Sequence, residues 1–296
     1  MRLFKTESLK LNELQKESFS LERDIQRLIE ENLHSVFGLE FVASEFELHG
    51  LRIDTLGFDS ESKSFVIIEY KRERNLSVSD QGLSYLYLML SNKSDFILEY
   101  NEKFSAKLKR EDIDWSQSRI LFIAPEFTTH QQMAIAFRDL PVELWEIQKY
   151  KNGFLILNQI EKPATNESIG SISTSLAKQV SKEIIVYDEN QHLSKMNEKI
   201  KELYLGLSSG IKDFGSDVEV KPKKLYVGFW RNQRLFATIK FPKNKLRIKL
   251  ALTVSELKDP AHLAKPRKKG GSVIYFSEAN GIPYVLSLVK QGYDKN

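Results

Sequence analysis

The sequence predicts mixed α and β structure: a larger α/β (α+β) domain built on a mixed sheet, and a second, smaller α+β domain. Short apolar runs rich in β-branched and aromatic residues alternate with amphipathic segments of helical period, a pattern typical of these fold classes. The chain has 296 residues, of which 41% are hydrophobic. A chain of that length and composition is long enough to bury two cores, so we expect two domains.

The composition excludes several classes of protein. The chain contains no cysteine, which rules out a disulfide scaffold, a thiol nucleophile and a thiolate zinc site. No apolar stretch approaches the roughly 20 residues that a membrane helix requires. Residues 1–7 are followed by mixed charge and lack the apolar centre of a signal peptide. We therefore expect a cytoplasmic protein with no membrane partner.

The tripeptide Glu-x-Lys is a candidate catalytic element, and only one of its occurrences lies in a predicted buried strand. It occurs four times, beginning at Glu61, Glu69, Glu219 and Glu256. Only the second lies in an apolar run, residues 64–71, which predicts a strand covered on both faces. Because strand side chains alternate, Glu69 and Lys71 should emerge together on one face at the strand's end. Burying either charge alone would be costly, which favours a shared partner such as a metal ion.

A second acidic residue is expected beside this strand. Residues 51–58 alternate as a neighbouring strand, and the polar residues 59–64 predict a turn, so the two strands should form an antiparallel hairpin. Asp54 and Glu69 lie at similar distances from that turn, which would place their side chains about 5 Å apart on one face. Two carboxylates at that separation repel each other unless a cation lies between them. Mg²⁺ or Mn²⁺ suits carboxylate and carbonyl ligands.

Two predicted helices carry further polar candidates. The helix over residues 79–90 places Gln81 and Tyr85 on one face near its amino end, because they are four residues apart. The helix over residues 20–36 carries Glu22 in its first turn, where the helix dipole favours an anion. Without further context, Glu22 would be an ordinary solvated glutamate, and Glu69 and Lys71 would be an ordinary surface ion pair.

Residues from about 20 to 90 resemble the core of the PD-(D/E)XK nuclease superfamily. Within it they are most similar to the branch of RecB-type nuclease domains and archaeal NucS-like endonucleases. The resemblance implies a restriction-endonuclease-like αβββαβ core with a mixed sheet. The positions that match the superfamily pattern are Glu22, Asp54, Glu69, Lys71, Gln81 and Tyr85. Ile53 stands where the superfamily often has proline.

The resemblance also implies a mechanism, that of a metal-dependent nuclease hydrolysing phosphodiester bonds, with DNA as the expected substrate. The implied ligands of Mg²⁺ or Mn²⁺ are Asp54, Glu69, the carbonyl group of Tyr70, and Glu22. Lys71 would orient the attacking water and stabilise the transition state, while Gln81 and Tyr85 would position the substrate strand or the metal shell. Because the superfamily contains inactive members, the alternative is a catalytically inactive module that binds nucleic acid or protein.

The remaining elements of the first domain follow from periodicity. We expect a helix over residues 93–104, a buried strand over 118–125, a helix over 129–140, and a hairpin of residues 142–150 and 153–160. His130 is interpreted as a capping or surface residue. The domain is expected to span residues 1–162, followed by a linker over 163–190 and a second domain over 191–296.

Charge changes sign between the two halves. Residues 1–162 contain 21 Lys and Arg against 27 Asp and Glu, whereas residues 163–296 contain 23 against 13. In the second domain we expect helices over 193–207 and 283–293 and strands over 225–230, 235–241, 246–250 and 272–276. This pattern resembles a small α+β domain of unknown function found at the C-termini of such nucleases. A basic domain beside an acidic one suggests a division of labour.

The basic residues of the second domain predict a phosphate-binding surface. The residues proposed to bind nucleic acid are Lys240, Lys245, Arg247, Lys249, Arg267, Lys268 and Lys269. The alternative is a solvated, lysine-rich sheet face, and Tyr226 and Trp230 either stack on bases or pack in the core. DNA is the expected partner, RNA stays open, and a homodimer or a protein partner through this domain is the remaining alternative.

Overall fold

A computed structural model describes residues 2–71, 78–137, 139–162, 165, 167–172, 174–185, 187–232, 234–267 and 270–295. The chain forms two compact units, Met1–Val186 and Tyr187–Asn296. Two hydrophobic clusters lie in the first unit and one in the second. Among the described residues, no helix combines the length and the apolar character needed to span a membrane.

The first unit contains nine strands and six α-helices within its described residues. The strands are β1 (Phe4–Glu7), β2 (Lys10–Glu13), β3 (Lys16–Glu17), β4 (Glu40–Leu48), β5 (Leu51–Asp59), β6 (Ser64–Tyr70), β7 (Arg119–Ala124), β8 (Val142–Tyr150) and β9 (Phe154–Ile160). The helices are α1 (Glu22–Glu31), α2 (Leu33–Phe37), α3 (Val78–Ser91), α4 (Lys93–Phe104), α5 (Thr129–Ala134) and α6 (Ser175–Glu183).

The first unit is built on a mixed sheet, as the sequence predicts. Its strand order is β3-β8-β7-β6-β5-β4, with β9 paired to β8. Strands β4, β5 and β6 are antiparallel neighbours, whereas β6, β7 and β8 run parallel. Along the chain, α1, β4, β5, β6, α3 and β7 follow the order αβββαβ, with α2 and α4 as additional helices.

Strand β6 lies at the centre of this sheet and is buried at every position. Phe65 and Ile67 pack in the cluster that includes α3, whereas Val66 and Ile68 pack in the cluster that includes α1. Since side chains alternate along a strand, Glu69 shares the face of Phe65 and Ile67. The carboxylate of Glu69 therefore points to the side of the sheet that α3 covers.

Some boundaries differ from those predicted. The helix expected over residues 20–36 is divided at Asn32, whose side chain donates a hydrogen bond of 2.9 Å to the carbonyl oxygen of Leu28. The helix expected over 129–140 ends at Ala134. The predicted linker contains α6, which packs against α3 and contributes Ala177 and Val180 to the core of the first unit.

The second unit is a six-stranded antiparallel sheet covered by two long helices. Its strands are β10 (Val218–Lys223), β11 (Tyr226–Arg231), β12 (Arg234–Lys240), β13 (Leu246–Leu250), β14 (Lys265–Pro266) and β15 (Ser272–Phe276), in the order β10-β11-β12-β13-β15-β14. Its helices are α7 (Glu189–Leu193), α8 (Glu198–Lys212) and α9 (Ile282–Lys295). The predicted helix over 193–207 was placed too early, because Asn197 caps α8 by accepting a 2.9 Å hydrogen bond from the amide of Ile200.

Candidate functional site

The two central carboxylates lie where strands β5 and β6 part. The last backbone pair of this ladder joins Thr55 to Ile68, and the next step in register places Asp54 opposite Glu69. Beyond that pair, backbone amides donate hydrogen bonds to the two carboxylates instead of to backbone carbonyl oxygens. The amide of Asp54 donates to Glu69 Oε1 at 3.2 Å, and the amide of Tyr70 donates to Asp54 Oδ2 at 3.0 Å. The hairpin thus brings together the two acids that the sequence pairs.

The electrostatics of this pair favour a cation. Burial, followed by the charge of Asp54, raises the pKa of Glu69 to about 8, although Lys71 and the amide of Asp54 oppose the shift. Burial also raises the pKa of Asp54, and the charges of Glu45 and Glu22 act in the same direction. Negative charge at this position is therefore costly for the protein on its own, and a bound divalent cation would offset that cost.

Lys71 stands directly beside Glu69. Its amide donates to the carbonyl oxygen of Ile123 on β7 at 2.9 Å, which holds the end of the strand in place. Its Nζ lies 3.5 Å from Glu69 Oε2, and its side chain is 12% exposed. This contact is at the outer limit of a hydrogen bond. The ammonium group is thus held at the site while retaining donors for a further ligand.

Helix α3 places an amide and a phenol at the same carboxylate. Gln81 Nε2 lies 3.4 Å from both Glu69 Oε2 and the hydroxyl of Tyr85. The Tyr85 hydroxyl donates to the carbonyl oxygen of Arg52 at 2.8 Å. Burial and the charge of Glu69 raise the pKa of Tyr85 to about 12, so its hydroxyl stays a donor at neutral pH. Gln81 Oε1 is buried and has no hydrogen-bond partner among the described residues.

A glycine allows α3 to approach the sheet closely enough for this contact. A Cβ atom at Gly82 would lie 3.0 Å from Val142 Cγ2 and 3.6 Å from the ring of Phe122. Those residues belong to β8 and β7, so the helix rests directly on the parallel part of the sheet. The glycine weakens the helix by about 1 kcal/mol relative to alanine. This cost is offset because a side chain at Gly82 would push the amino end of α3 away from the sheet.

Helix α1 supports the site from the other side, through a residue that the sequence analysis missed. Gln26 is 8% exposed, and its Nε2 donates to the carbonyl oxygen of Asp54 at 2.9 Å and lies 3.1 Å from Ser44 Oγ. Gln26 therefore fixes the backbone that carries the Asp54 carboxylate. The available signal was a glutamine between Ile25 and Ile29, within the apolar stripe of the helix.

The remaining predicted ligands are placed less directly. Glu22 is exposed in the first turn of α1, and it affects Asp54 through its charge. Tyr70 lies beside Asp54 through its main chain, while its side chain packs in the core cluster on the other face of the sheet. Within the part of the chain that the structure describes, no group of three or more histidine and acidic side chains is arranged to hold a metal ion.

The residues present nevertheless fit a hard divalent cation. Mg²⁺ in proteins keeps several water ligands and is held by as few as one or two carboxylates. Asp54 and Glu69 supply two such groups, and the unpartnered Oε1 atom of Gln81 is an acceptor that a metal-bound water could use. The donor set therefore suits Mg²⁺ or Mn²⁺, and Asp54 and Glu69 are the carboxylates that could hold such an ion.

The residues predicted to bind nucleic acid fall into two groups. Lys240, Arg247 and Lys249 share one face of the second sheet, since Lys240 pairs with Arg247 and the two β13 residues are two apart. Arg267 lies in the turn between β14 and β15, where its amide donates to the carbonyl oxygen of Gly271 at 3.3 Å. The positions Lys268 and Lys269 lie outside the described residues.

Comparison with known proteins gives one extensive match and three partial ones. Residues 189–296 match a domain of unknown function, DUF5655. A solved EndoMS-dsDNA2 complex is 23% identical with a TM-score of 0.26, over 38% of this chain and 40% of that chain. A repair endonuclease from Pyrococcus abyssi is 16% identical with a TM-score of 0.27, and the match covers 50% of this chain and 50% of that chain. Structural similarity this low carries no argument about function.

The extensive match covers both units. An uncharacterised protein of Haemophilus influenzae is 43% identical over 299 residues, covering 98% of this chain and 99% of that protein. Identity at this level over the full length of two chains implies a shared fold throughout. The chain therefore belongs to the same family as this Haemophilus influenzae protein.

Proposed function

We propose that this protein is a Mg²⁺- or Mn²⁺-dependent nuclease that hydrolyses phosphodiester bonds in DNA, with its first unit a member of the PD-(D/E)XK superfamily. The observation that carries the proposal is the meeting of Asp54, Glu69 and Lys71 at the carboxyl end of a buried central strand. Two buried acids are costly to hold together there, and two acids with a lysine are a combination that can serve metal-dependent phosphodiester hydrolysis.

Each side chain has a role that follows from its position. Asp54 and Glu69 would hold the ion, which when bound acidifies a water ligand and neutralises charge on phosphate oxygens. Lys71 presents a fixed ammonium group beside Glu69, where it can orient the attacking water and stabilise negative charge that develops on the phosphate.

Three neutral residues would keep this arrangement in place. Gln26 holds the backbone of Asp54, and Tyr85 is anchored on the carbonyl oxygen of Arg52. Gln81 bridges Tyr85 and Glu69 and leaves one acceptor for a water molecule or the substrate strand. We regard Gln26 as a positioning residue, because it contacts the main chain of Asp54 rather than the carboxylate.

The basic second unit would assist substrate binding. Residues 187–296 contain 21 Lys and Arg against 11 Asp and Glu, whereas residues 1–186 contain 23 against 29. Nucleic acid is attracted to surfaces of positive charge, while an acidic catalytic unit repels phosphate except where a cation or a lysine neutralises it. A cytoplasmic location, where DNA is accessible, is part of this proposal.

The test is a matched pair of lysine variants. We expect Lys71→Ala to retain its fold and to lose at least about 1000-fold in the rate of DNA cleavage, since it removes a charge that acts on the transition state. Lys63→Ala, at the exposed lysine of another Glu-x-Lys tripeptide on the same hairpin, should cleave like the wild type. Cleavage is measured on labelled single-stranded, duplex and branched DNA and on RNA, with Mg²⁺ or Mn²⁺.

Two outcomes would contradict the proposal. Wild-type cleavage by Lys71→Ala would remove the assigned site from the chemistry. Absence of cleavage by the wild-type protein on every substrate with both metals, together with retained DNA binding, would indicate an inactive binding module instead. Circular dichroism and thermal unfolding of both variants establish that a lost rate reflects chemistry and not loss of the fold.

A further inference from the structure

The sheet of the second unit has two chemically different faces. One face packs against α8 and α9 through the hydrophobic core of that unit, which includes Val227, Ile239 and Ile248. The strand register places these three residues side by side across β11, β12 and β13. Because side chains alternate along each strand, the residues between them lie on the opposite face.

That opposite face combines cations with aromatic rings. We name it the basic face, formed by Lys221, Tyr226, Trp230, Lys240, Arg247 and Lys249. Trp230 is half-buried and lies outside the hydrophobic cluster of the unit, whereas Tyr226 is buried, with 2% of its surface exposed. The Nζ atom of Lys221 lies 5.2 Å from the centroid of the Trp230 ring, and that of Lys240 lies 5.6 Å from the centroid of the Tyr226 ring.

The pattern of cation and ring extends to the far side of the sheet. Tyr275 pairs with Arg247 across β13 and β15, so its ring lies on the same face. The Nζ atom of Lys245 lies 4.6 Å from the centroid of that ring. The acidic residue Glu219 also lies on this face, where it pairs with Lys221 at 2.7 Å. Positive charge still predominates among these residues.

Polar groups on this face are buried without partners. Trp230 Nε1, Thr238 Oγ1 and Arg247 Nε have no hydrogen-bond partner among the described residues, and Thr238 is 2% exposed. They come from three consecutive strands, β11, β12 and β13. A buried donor left unsatisfied costs about 1–3 kcal/mol. Three such groups lie on one face of one sheet, and a ligand that supplies hydrogen-bond acceptors would offset their cost.

A glycine allows two aromatic rings to pack closely against the backbone of β11. Gly228 lies directly opposite Thr238 in the ladder. A Cβ atom at Gly228 would lie 2.9 Å from Trp230 Nε1 and 3.3 Å from the ring of Tyr226. The neighbouring side chains therefore already fill the space above Gly228, and a larger residue there would displace the indole of Trp230.

We propose that the basic face binds single-stranded nucleic acid. The cations and the unpartnered donors suit phosphate oxygens and base edges, and the rings of Trp230 and Tyr275 suit unpaired bases. Aromatic side chains on a sheet stack on bases that are splayed out of a helix, which is how proteins hold single strands. Bases inside a duplex are already stacked on one another and cannot use the rings. The inference rests on the proposed function only in naming the class of strand delivered to the nuclease.

Binding is measured with the full-length protein in EDTA, so that no cleavage occurs, by fluorescence anisotropy of a labelled mixed-sequence 20-mer and of its duplex. We expect the single strand to bind at least about tenfold more tightly than the duplex. Trp230→Leu should weaken single-strand binding about tenfold, since one base–aromatic stack contributes about 1–3 kcal/mol. Trp230→Phe, which keeps a ring, should restore part of this loss.

Charge is tested with a matched pair of double variants. Arg247→Gln with Lys245→Gln should weaken binding and reduce the salt dependence of affinity by about 1.4 in log–log slope, since each phosphate contact to a single strand contributes about 0.7. Lys199→Gln with Lys258→Gln removes the same charge at exposed positions outside the basic face and should bind like the wild type. The charge variants decide the matter if Trp230→Leu fails to fold.

Several results would overturn the inference. They are equal or tighter binding of the duplex, unchanged binding by both Trp230→Leu and the basic-face double variant, and competition by polyglutamate as effective as that by unlabelled strand. The last would indicate an acidic protein partner. Single-strand binding is measured on the same wild-type protein as cleavage. A failed cleavage test with this binding intact would therefore reject the nuclease proposal alone.

Discussion

Glu69 is a buried acid whose charged form is destabilised by its surroundings. It is 1% exposed, lies next to a second carboxylate, and forms an ion pair of 3.5 Å with Lys71. A buried acid in such surroundings is stabilised by anything that neutralises it. The same residue is therefore where metal binding and folding stability should be coupled.

We expect Mg²⁺ to raise the melting temperature of the wild-type protein, because a ligand that binds only the folded state stabilises it by about 2.7 kcal/mol at 100 times its Kd. Asp54→Asn and Glu69→Gln should lose this response, while Glu47→Gln, at an exposed acid on β4, should keep it. Scanning calorimetry at constant ionic strength measures the shift. An equal shift in Asp54→Asn would contradict the assignment of the ligands.

Lys162 makes a separate prediction about pH. Its ammonium group donates to the carbonyl oxygen of Leu140, and burial lowers its pKa to about 8, although Glu143 and Asp139 oppose the shift. In the folded state this ammonium group therefore loses its proton at a lower pH than in the unfolded state. Between about pH 8 and pH 10.5 the unfolded state binds more protons, so stability gains from this group as pH rises.

The comparison that isolates Lys162 is with Lys162→Met, which fills the same space without a charge. The free energy of unfolding of the wild type, minus that of the variant, should rise as pH increases from about 8 to about 10.5 and stay flat between pH 6 and pH 7. Urea unfolding at each pH provides the difference. A difference that does not change above pH 8 would show that Lys162 is not buried as described.

At the scale of elements, the parts that could be predicted from sequence are those with an unambiguous period. Strand β6 is apolar on both faces and β5 alternates, so their hairpin and the pairing of Asp54 with Glu69 follow from a polar turn between them. Strands β4 and β10 are not predicted, because polar residues interrupt both faces of β4 and because Pro222 in β10 argues against a strand. Helix ends were less predictable, since capping by Asn197 and the break at Asn32 depend on local hydrogen bonds.

The turn between β14 and β15 contains two glycines whose surroundings differ, because only one of them lies close to a backbone carbonyl oxygen. Gly270 and Gly271 have φ values of +82° and +70°, which favour glycine at both positions. A Cβ atom at Gly271 would lie 2.4 Å from the carbonyl oxygen of Leu250, whereas one at Gly270 would meet nothing within 4 Å. We expect Gly270→Ala to cost about 1 kcal/mol and Gly271→Ala clearly more.

Chemical unfolding of the two alanine variants measures this difference. The conformational cost of a positive φ is common to both variants, so the excess destabilisation in Gly271→Ala reports the close contacts of its Cβ atom, above all with the Leu250 carbonyl oxygen and also with that of Ala251. Equal destabilisation by the two substitutions would mean that the turn shifts to relieve the contact. Both variants should leave Mg²⁺-dependent stabilisation unchanged, because neither residue belongs to the first unit.

At the scale of the whole molecule, the division into two units accompanies a division of charge and of chemistry. The acidic unit carries the carboxylates and the basic unit carries the cations and rings of the basic face. The sequence predicted both the sign of each half and most of the candidate residues. It could not predict Gln26, whose contact with Asp54 joins residues 28 positions apart, nor the unpartnered groups of Trp230 and Thr238, which depend on packing.

The candidate site can form only when strands β5 and β6 pair in the correct register. Asp59 Oδ1 accepts hydrogen bonds of 3.0 Å from the amides of both Glu61 and Ser62, and this turn fixes how many residues separate the two acids. A slip of one residue would turn one strand's side chains to the opposite face and part the two acids. Misaligned chains would lack the site altogether, so every molecule that has it is paired as described here.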